Sequence, residues 1–133
     1  MPSTTRFMPH FEGRSSLRDG ATFYLTLAAV AAASGAPPAK IITTNRGCAR
    51  IAWARHLAIY LQHVAFVASL SSCARLVGRD RATVRYACAR IEDARDERRF
   101  DDGLSRLECA LREQAQMLST FIDSFDFNTE QGE

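Results

Sequence analysis

The chain has 133 residues, enough for one domain with a sizeable core, and its apolar (47%) and charged (24%) fractions are those of an ordinary globular protein. No low-complexity tract, internal repeat or β-type alternation appears, which leaves an all-α domain as the expected class. The net charge of +2 hides an uneven distribution: residues 46–99 carry eleven basic and five acidic side chains, and residues 100–133 carry two and eight. A basic middle beside an acidic end is a footprint compatible with a nucleic-acid partner.

Residues 1–20 mix Pro, Ser, Thr, Gly and charge without periodicity and are expected to form a flexible tail. The run TFYLTLAAVAAA, Thr22 to Ala33, has the composition of a signal-peptide core. It is too short to span a bilayer. With Glu12 and Asp19 upstream it reads instead as a packed helix, from about Ala21 to Ala33, ended by Ser34-Gly35 and Pro37-Pro38. Pro37 to Ile42 can form one short turn, and TTNRG (43–47) a loop.

A long helix is expected from about Cys48 to Phe66. Trp53, Leu57, Tyr60, Leu61 and Val64 make one apolar face, with Arg50, Arg55, His56, Gln62 and His63 largely off it. A short helix follows at Leu70 to Val77, with Ser69 or Ser71 as cap. Gly78 suits a left-handed turn, and Asp80 caps a helix from Arg81 to about Arg95. Val84, Ala87, Cys88, Ile91 and Ala94 form the inward face of that helix; Arg81 and Arg85 stack at i and i+4 on the other side. DARDERRFDD (93–102) is charged and reads as solvated. From Phe100 or Asp101 a last helix carries Leu104, Leu107, Leu111, Ala115, Leu118, Ile122 and Phe125 at heptad-type spacing, suited to packing on the domain or to pairing with a second copy. Residues 126–133 form an acidic tail.

The four cysteines, Cys48, Cys73, Cys88 and Cys109, lack any CxxC or zinc-type spacing with His56 or His63. Small buried or half-buried thiols in a reducing cytoplasm are expected, with no metal and no cofactor. No nucleophile motif, carboxylate pair or phosphate-cradling glycine loop occurs, so an enzyme is not expected.

A short helix, a glycine turn and a longer helix form the helix-turn-helix pattern, whose second helix enters the major groove N-terminus first. Arg79, Arg81, Ala82, Thr83 and Arg85 surround that N-terminus, where free N–H groups and the helix dipole also favour a phosphate. Asp80 serves as cap and can orient a neighbouring Arg.

The stretch GRDRATVRYACARIEDARDE (78–97) resembles the C-terminal DNA-binding domain of the bacterial replication initiator DnaA, which carries GRDHTTV followed by a helix of the type xHACRKIE. RHLAIYLQHV (55–64) is similar to that family's AMYLxREL helix, and the likeness extends back to about Thr22. Small stand-alone proteins of alphaproteobacteria that keep only this domain, often with GRDRTTV, resemble it more closely. The resemblance implies an all-α, TrpR-like helix-turn-helix domain over 21–99, followed by the amphipathic helix 100–125. It implies double-stranded DNA as partner and a cytoplasmic, nucleoid-associated location; with the initiator's ATPase part and any P-loop glycine motif missing, no nucleotide is expected, and with the apolar run too short to span a bilayer, no membrane. By that resemblance Arg46 reaches the minor groove, and Arg79, Asp80, Arg81, Ala82, Thr83 and Arg85 occupy the major-groove face. Arg50, Arg55 and Arg75 are expected phosphate contacts. Arg81 stands where the initiator has His and Ala82 where it has Thr. The resemblance therefore implies the fold and the binding face rather than the initiator's own target sequence. The functions expected are transcriptional regulation or modulation of replication; the alternative is a protein-interaction module using the Leu104–Phe125 helix, with weak DNA affinity.

Overall fold

The computed structural model describes residues 13–43 and 48–124. Six helices account for it: α1 (Gly13–Ser34), α2 (Pro38–Ile41), α3 (Ala49–Val64), α4 (Leu70–Val77), α5 (Arg81–Ala94) and α6 (Arg98–Ser124). Arg46, Phe125, and residues 1–12 and 126–133 of the expected tails lie outside the described residues.

α1 starts at Gly13, inside the stretch expected as a tail. Asp19 explains part of the extension: Ser72 Oγ donates to its carboxylate at 2.7 Å, so this turn is held by α4. Phe23, Thr26, Leu27 and Val30, at i, i+3, i+4 and i+7, form the buried stripe. The helix stops where Gly35 adopts φ +73° and its N–H bonds Ala31 O at 2.8 Å, a left-handed cap that glycine tolerates. Two prolines then fix the chain for α2, which buries Ile41 completely.

α3 is the central helix, packed mainly against α5 and α1. Its burial is wider than one stripe: Ile51, Ala54, Ala58, Ile59, Tyr60 and Leu61 are buried, while Trp53, Leu57 and Val64 are only half-buried. Two polar residues expected off the apolar face, Arg55 and Gln62, are buried as well. Gln62 pays for its burial with partners: Nε2 donates to Thr22 Oγ1 at 2.9 Å and to Asp19 O at 3.1 Å, and Thr26 Oγ1 reaches its Oε1 at 3.5 Å. This polar node pins α1 to α3. A buried amide with its bonds made is tolerable; one left unpaired costs about 1–3 kcal/mol.

α6 docks through its first half. Phe100 meets Trp53 at 5.8 Å, and Leu104 and Leu111 are buried. Glu97 caps its N-terminus, accepting from Arg99 N at 3.1 Å and Phe100 N at 2.8 Å. Most of the charged segment 93–102 is exposed, as its composition led us to expect, but Arg95 within it is not solvated. Arg95 pairs with Asp101 and Glu108, donates to Tyr60 Oη at 2.7 Å and to Ser105 Oγ at 2.8 Å, and so fastens α6 to α3. Burial alone would lower the guanidinium pKa, but the bonds to Asp101, Tyr60 and Glu108 together hold it above its ordinary value. Farther along the helix Leu118, Met117 and Phe121 are exposed.

The cysteines divide unevenly. Cys73 is buried and Cys88 half-buried, and burial pushes their thiols up to about 12 and about 11. Cys48 and Cys109 are exposed, against expectation. Cys109 lies on the exposed side of α6, and Cys48 is the extended residue that precedes α3. Among the described residues, no group of three or more His, Cys, Asp or Glu is placed to hold a metal ion, and no helix is long and apolar enough to cross a membrane.

Candidate nucleic-acid interface

Local chemistry sets the helix-turn-helix. Ser69 Oγ accepts from Ser72 N at 3.0 Å and starts α4. At the other end Gly78 takes φ +65°, a left-handed conformation that costs an L-residue with a Cβ about 1–2 kcal/mol. The turn is closed by Arg79 N donating to Ala74 O at 2.9 Å and Gly78 N to Arg75 O at 3.4 Å. Asp80 is extended, and its Oδ1 accepts from Thr83 N at 2.8 Å, capping α5. Bonds from the Thr83 backbone and then its hydroxyl, with Arg79 adding positive charge, hold the Asp80 carboxyl below the usual carboxylate range. Asp80 is therefore committed to the cap.

α5 is seated on α3 and α4 by Val84, Ala87 and Ile91, each completely buried. Burying a Val or Ile side chain stabilises by about 1.5–3 kcal/mol, so the rotation of α5 is firmly set. Its outer face follows. Arg81, Ala82, Arg85, Tyr86, Ala89, Arg90 and, in the last turn, Glu92 and Asp93 are exposed, and Thr83 is half-buried beside its cap. At about 100° per residue these side chains cover half the circumference. Ala82 and Ala89 lie in the middle of that arc, Arg81 and Arg85 on one flank, Tyr86 and Arg90 on the other. Arg81 and Arg85 make no hydrogen bond or ion pair with another described residue.

The other expected contacts are placed unequally. Arg79 is half-buried in the turn. Arg75 is exposed in the last turn of α4 and Arg50 in the first turn of α3. Arg55 does not fit the expectation of a phosphate contact. It is 8% exposed, and its Nε and Nη2 donate to the carbonyls of Ile41 (2.7 Å) and Lys40 (3.3 Å). A cation on the last carbonyls of a helix is a favourable terminus. Burial, then repulsion from nearby Arg79, lowers its pKa. Arg55 thus clamps the C-terminal end of α2.

Sequence reasoning passed over Tyr86, Arg90 and His56. Tyr86 is 59% exposed, and its ring meets His56 edge-on, with centroids 5.8 Å apart and planes at 82°. The i, i+4 column Ala82, Tyr86, Arg90 was the available signal.

Elsewhere, a groove of about 500 Å³ lies between α1, the α3–α4 loop and the distal part of α6. Leu25, Phe66, Val67, Ala115 and Leu118 line it, with Arg112 and Asp123; no residue of α4 or α5 does.

Comparison with known proteins agrees with this geometry. The family described as the bacterial dnaA protein helix-turn-helix matches residues 26–91, from mid-α1 to the buried Ile91 of α5. A solved structure described as a DNA replication initiation factor superposes with a TM-score of 0.61 and 25% identity over 77% of this chain. The match spans 30% of that longer chain. No curated protein matches the sequence. Residues 26–91 of this chain belong to the bacterial DnaA helix-turn-helix family.

Proposed function

We propose that the chain binds double-stranded DNA sequence-specifically, with α5 in the major groove, and acts on the bacterial nucleoid as a transcriptional regulator or modulator of replication. The observation that carries this reading is the open face of α5. Two arginines without partners among the described residues stand on a helix whose rotation is fixed by a fully buried stripe and whose entry is fixed by a glycine turn and an Asp cap. Arg81 reads a guanine, Ala82 touches a thymine methyl, and Arg85 takes a phosphate or a second base edge. Arg79, Arg75 and Arg50 add backbone contacts, and Arg46 adds the minor groove. Thr83 and Asp80 hold the helix entry in place. Arg55, bonded to the last carbonyls of α2, leaves the contact set.

Selection of duplexes from a random pool tests this, repeated with Arg81→Ala. Direct readout predicts that the variant loses preference at one base pair, at about 1–3 kcal/mol. Uniform weakening would demote Arg81 to a phosphate contact.

A second reading is favoured by one observation. Met117 (73%), Leu118 (47%) and Phe121 (63%) are exposed on α6, and they suit pairing with a second copy. Two copies on DNA would double the contacts. Phe121→Glu should turn a sedimenting dimer into a monomer; an unchanged monomer in both proteins removes this reading.

A further inference from the structure

The outer arc of α5 has two flanks, and only the Arg81–Arg85 flank has so far been given a task. A helix entering a major groove by its N-terminus brings its first-turn residues, here Arg81 and Ala82, to base edges, and farther along it turns the flanks of its exposed arc to the two sugar–phosphate walls. Up to Ile91 the middle of the arc is Ala82 and Ala89, small residues that let the backbone approach closely, and Asp93 follows in the last turn. The second flank is Tyr86 and Arg90, one turn apart and both exposed.

Tyr86 is not a loose surface side chain. The His56 ring of α3 stands edge-on against it at 5.8 Å. His56 Nδ1 is buried without a hydrogen-bond partner, so the imidazole is held in its place by packing against α5 rather than by a bond of its own. A phenol projecting from a braced ring, beside an arginine, suits a phosphate oxygen: the hydroxyl donates one bond and the guanidinium donates one or two.

We propose that Tyr86 and Arg90, with His56 as the positioning residue behind Tyr86, grip a backbone phosphate on the groove wall opposite the one reached by Arg85. This rests on the DNA-binding reading above. α5 is then clamped from both sides and its register in the groove is fixed by phosphate contacts on two strands.

The test is a salt-dependent affinity series on a duplex recovered from the random pool, with chain folding checked by melting temperature. Arg90→Ala should weaken binding roughly equally on all sequences and make the log–log salt slope shallower by about 0.9. Tyr86→Ala should weaken it about tenfold and Tyr86→Phe several-fold, both with base preference unchanged. His56→Ala should weaken it like Tyr86→Ala, while His56→Phe, which keeps an aromatic edge behind Tyr86, should restore it. Affinities within twofold of the parent and an unaltered slope for Tyr86→Ala and Arg90→Ala would overturn the proposal while leaving DNA binding intact. A changed base preference in Tyr86→Ala would overturn it too, by making Tyr86 a base contact. A parent protein that binds no duplex overturns the earlier reading and this one with it.

Discussion

Helix α5 begins and ends in arginines that the structure uses in opposite ways. Arg81 and Arg85 are exposed, with no partner among the described residues. Arg95, just past the other end, has a side chain 18% exposed and bonds to Asp101, Glu108, Tyr60 and Ser105. Arg55, 8% exposed and bonded to the carbonyls of Ile41 and Lys40, resembles Arg95. The same residue type is a tether where acceptors surround it and an open cation where they do not. An Arg-rich sequence therefore says little about DNA contacts until partners are known.

The strongest way to break the comparison is at the tether. Arg95→Ala leaves Asp101 and Glu108 without their cation, with the Glu108 side chain only 10% exposed. Removing the shared donor of a partly exposed network costs about 1–3 kcal/mol. Denaturant titration should show this loss, whereas Arg81→Ala and Arg85→Ala should each stay within about 0.5 kcal/mol of the parent, as surface changes do. Equal losses at both ends would dissolve the distinction.

A smaller effect is expected at the turn that aims the open end. Gly78→Ala places a Cβ at φ +65° and should cost about 1 kcal/mol. Affinity should fall along with stability, because the angle between α4 and α5 changes. A neutral substitution would show that the turn is less constrained than its geometry implies.

The smallest effect is a pH dependence beside the second flank. Burial, then the charges of Arg90 and Arg55, holds the His56 imidazole below its ordinary value of 6.5. The unfolded chain therefore binds this proton more readily than the folded one. The stability concerned is fully present above about pH 6.5 and is lost as pH falls below it. His56→Phe should flatten that acid limb in denaturation midpoints compared at pH 7.5 and 5.5; an unchanged slope would count against the placement of His56.

What was legible in the sequence was what local chemistry decides. α4, the Gly78 turn, the Asp80 cap and the inward stripe of α5 follow from residues within a few positions of one another, and the structure has them where they were expected. The burial of Arg55 and Gln62 was not legible. Whether a long polar side chain turns inward depends on acceptors far off in sequence, here the carbonyls of Lys40 and Ile41 for Arg55, and Asp19 and Thr22 for Gln62. The Arg95 network was hidden for the same reason, and its charges read as solvation. The start of α1 at Gly13 escaped because its tie to α4 runs from Asp19 to Ser72. At the interface, the N-terminal arginines of α5 were found from their position in the motif. Tyr86 was missed because its brace, His56, belongs to another helix.

The central claim is that the open arginines of α5 bind duplex DNA. Its most direct test is a salt titration of duplex affinity for the parent and for the Arg81→Ala/Arg85→Ala double variant. Log K should fall linearly with log salt, at about 0.9 per phosphate neutralised, and the double variant should bind far more weakly with unchanged folding. No detectable binding by the parent at ~50 mM salt, where phosphate contacts are strong, or equal binding by the double variant, would contradict it.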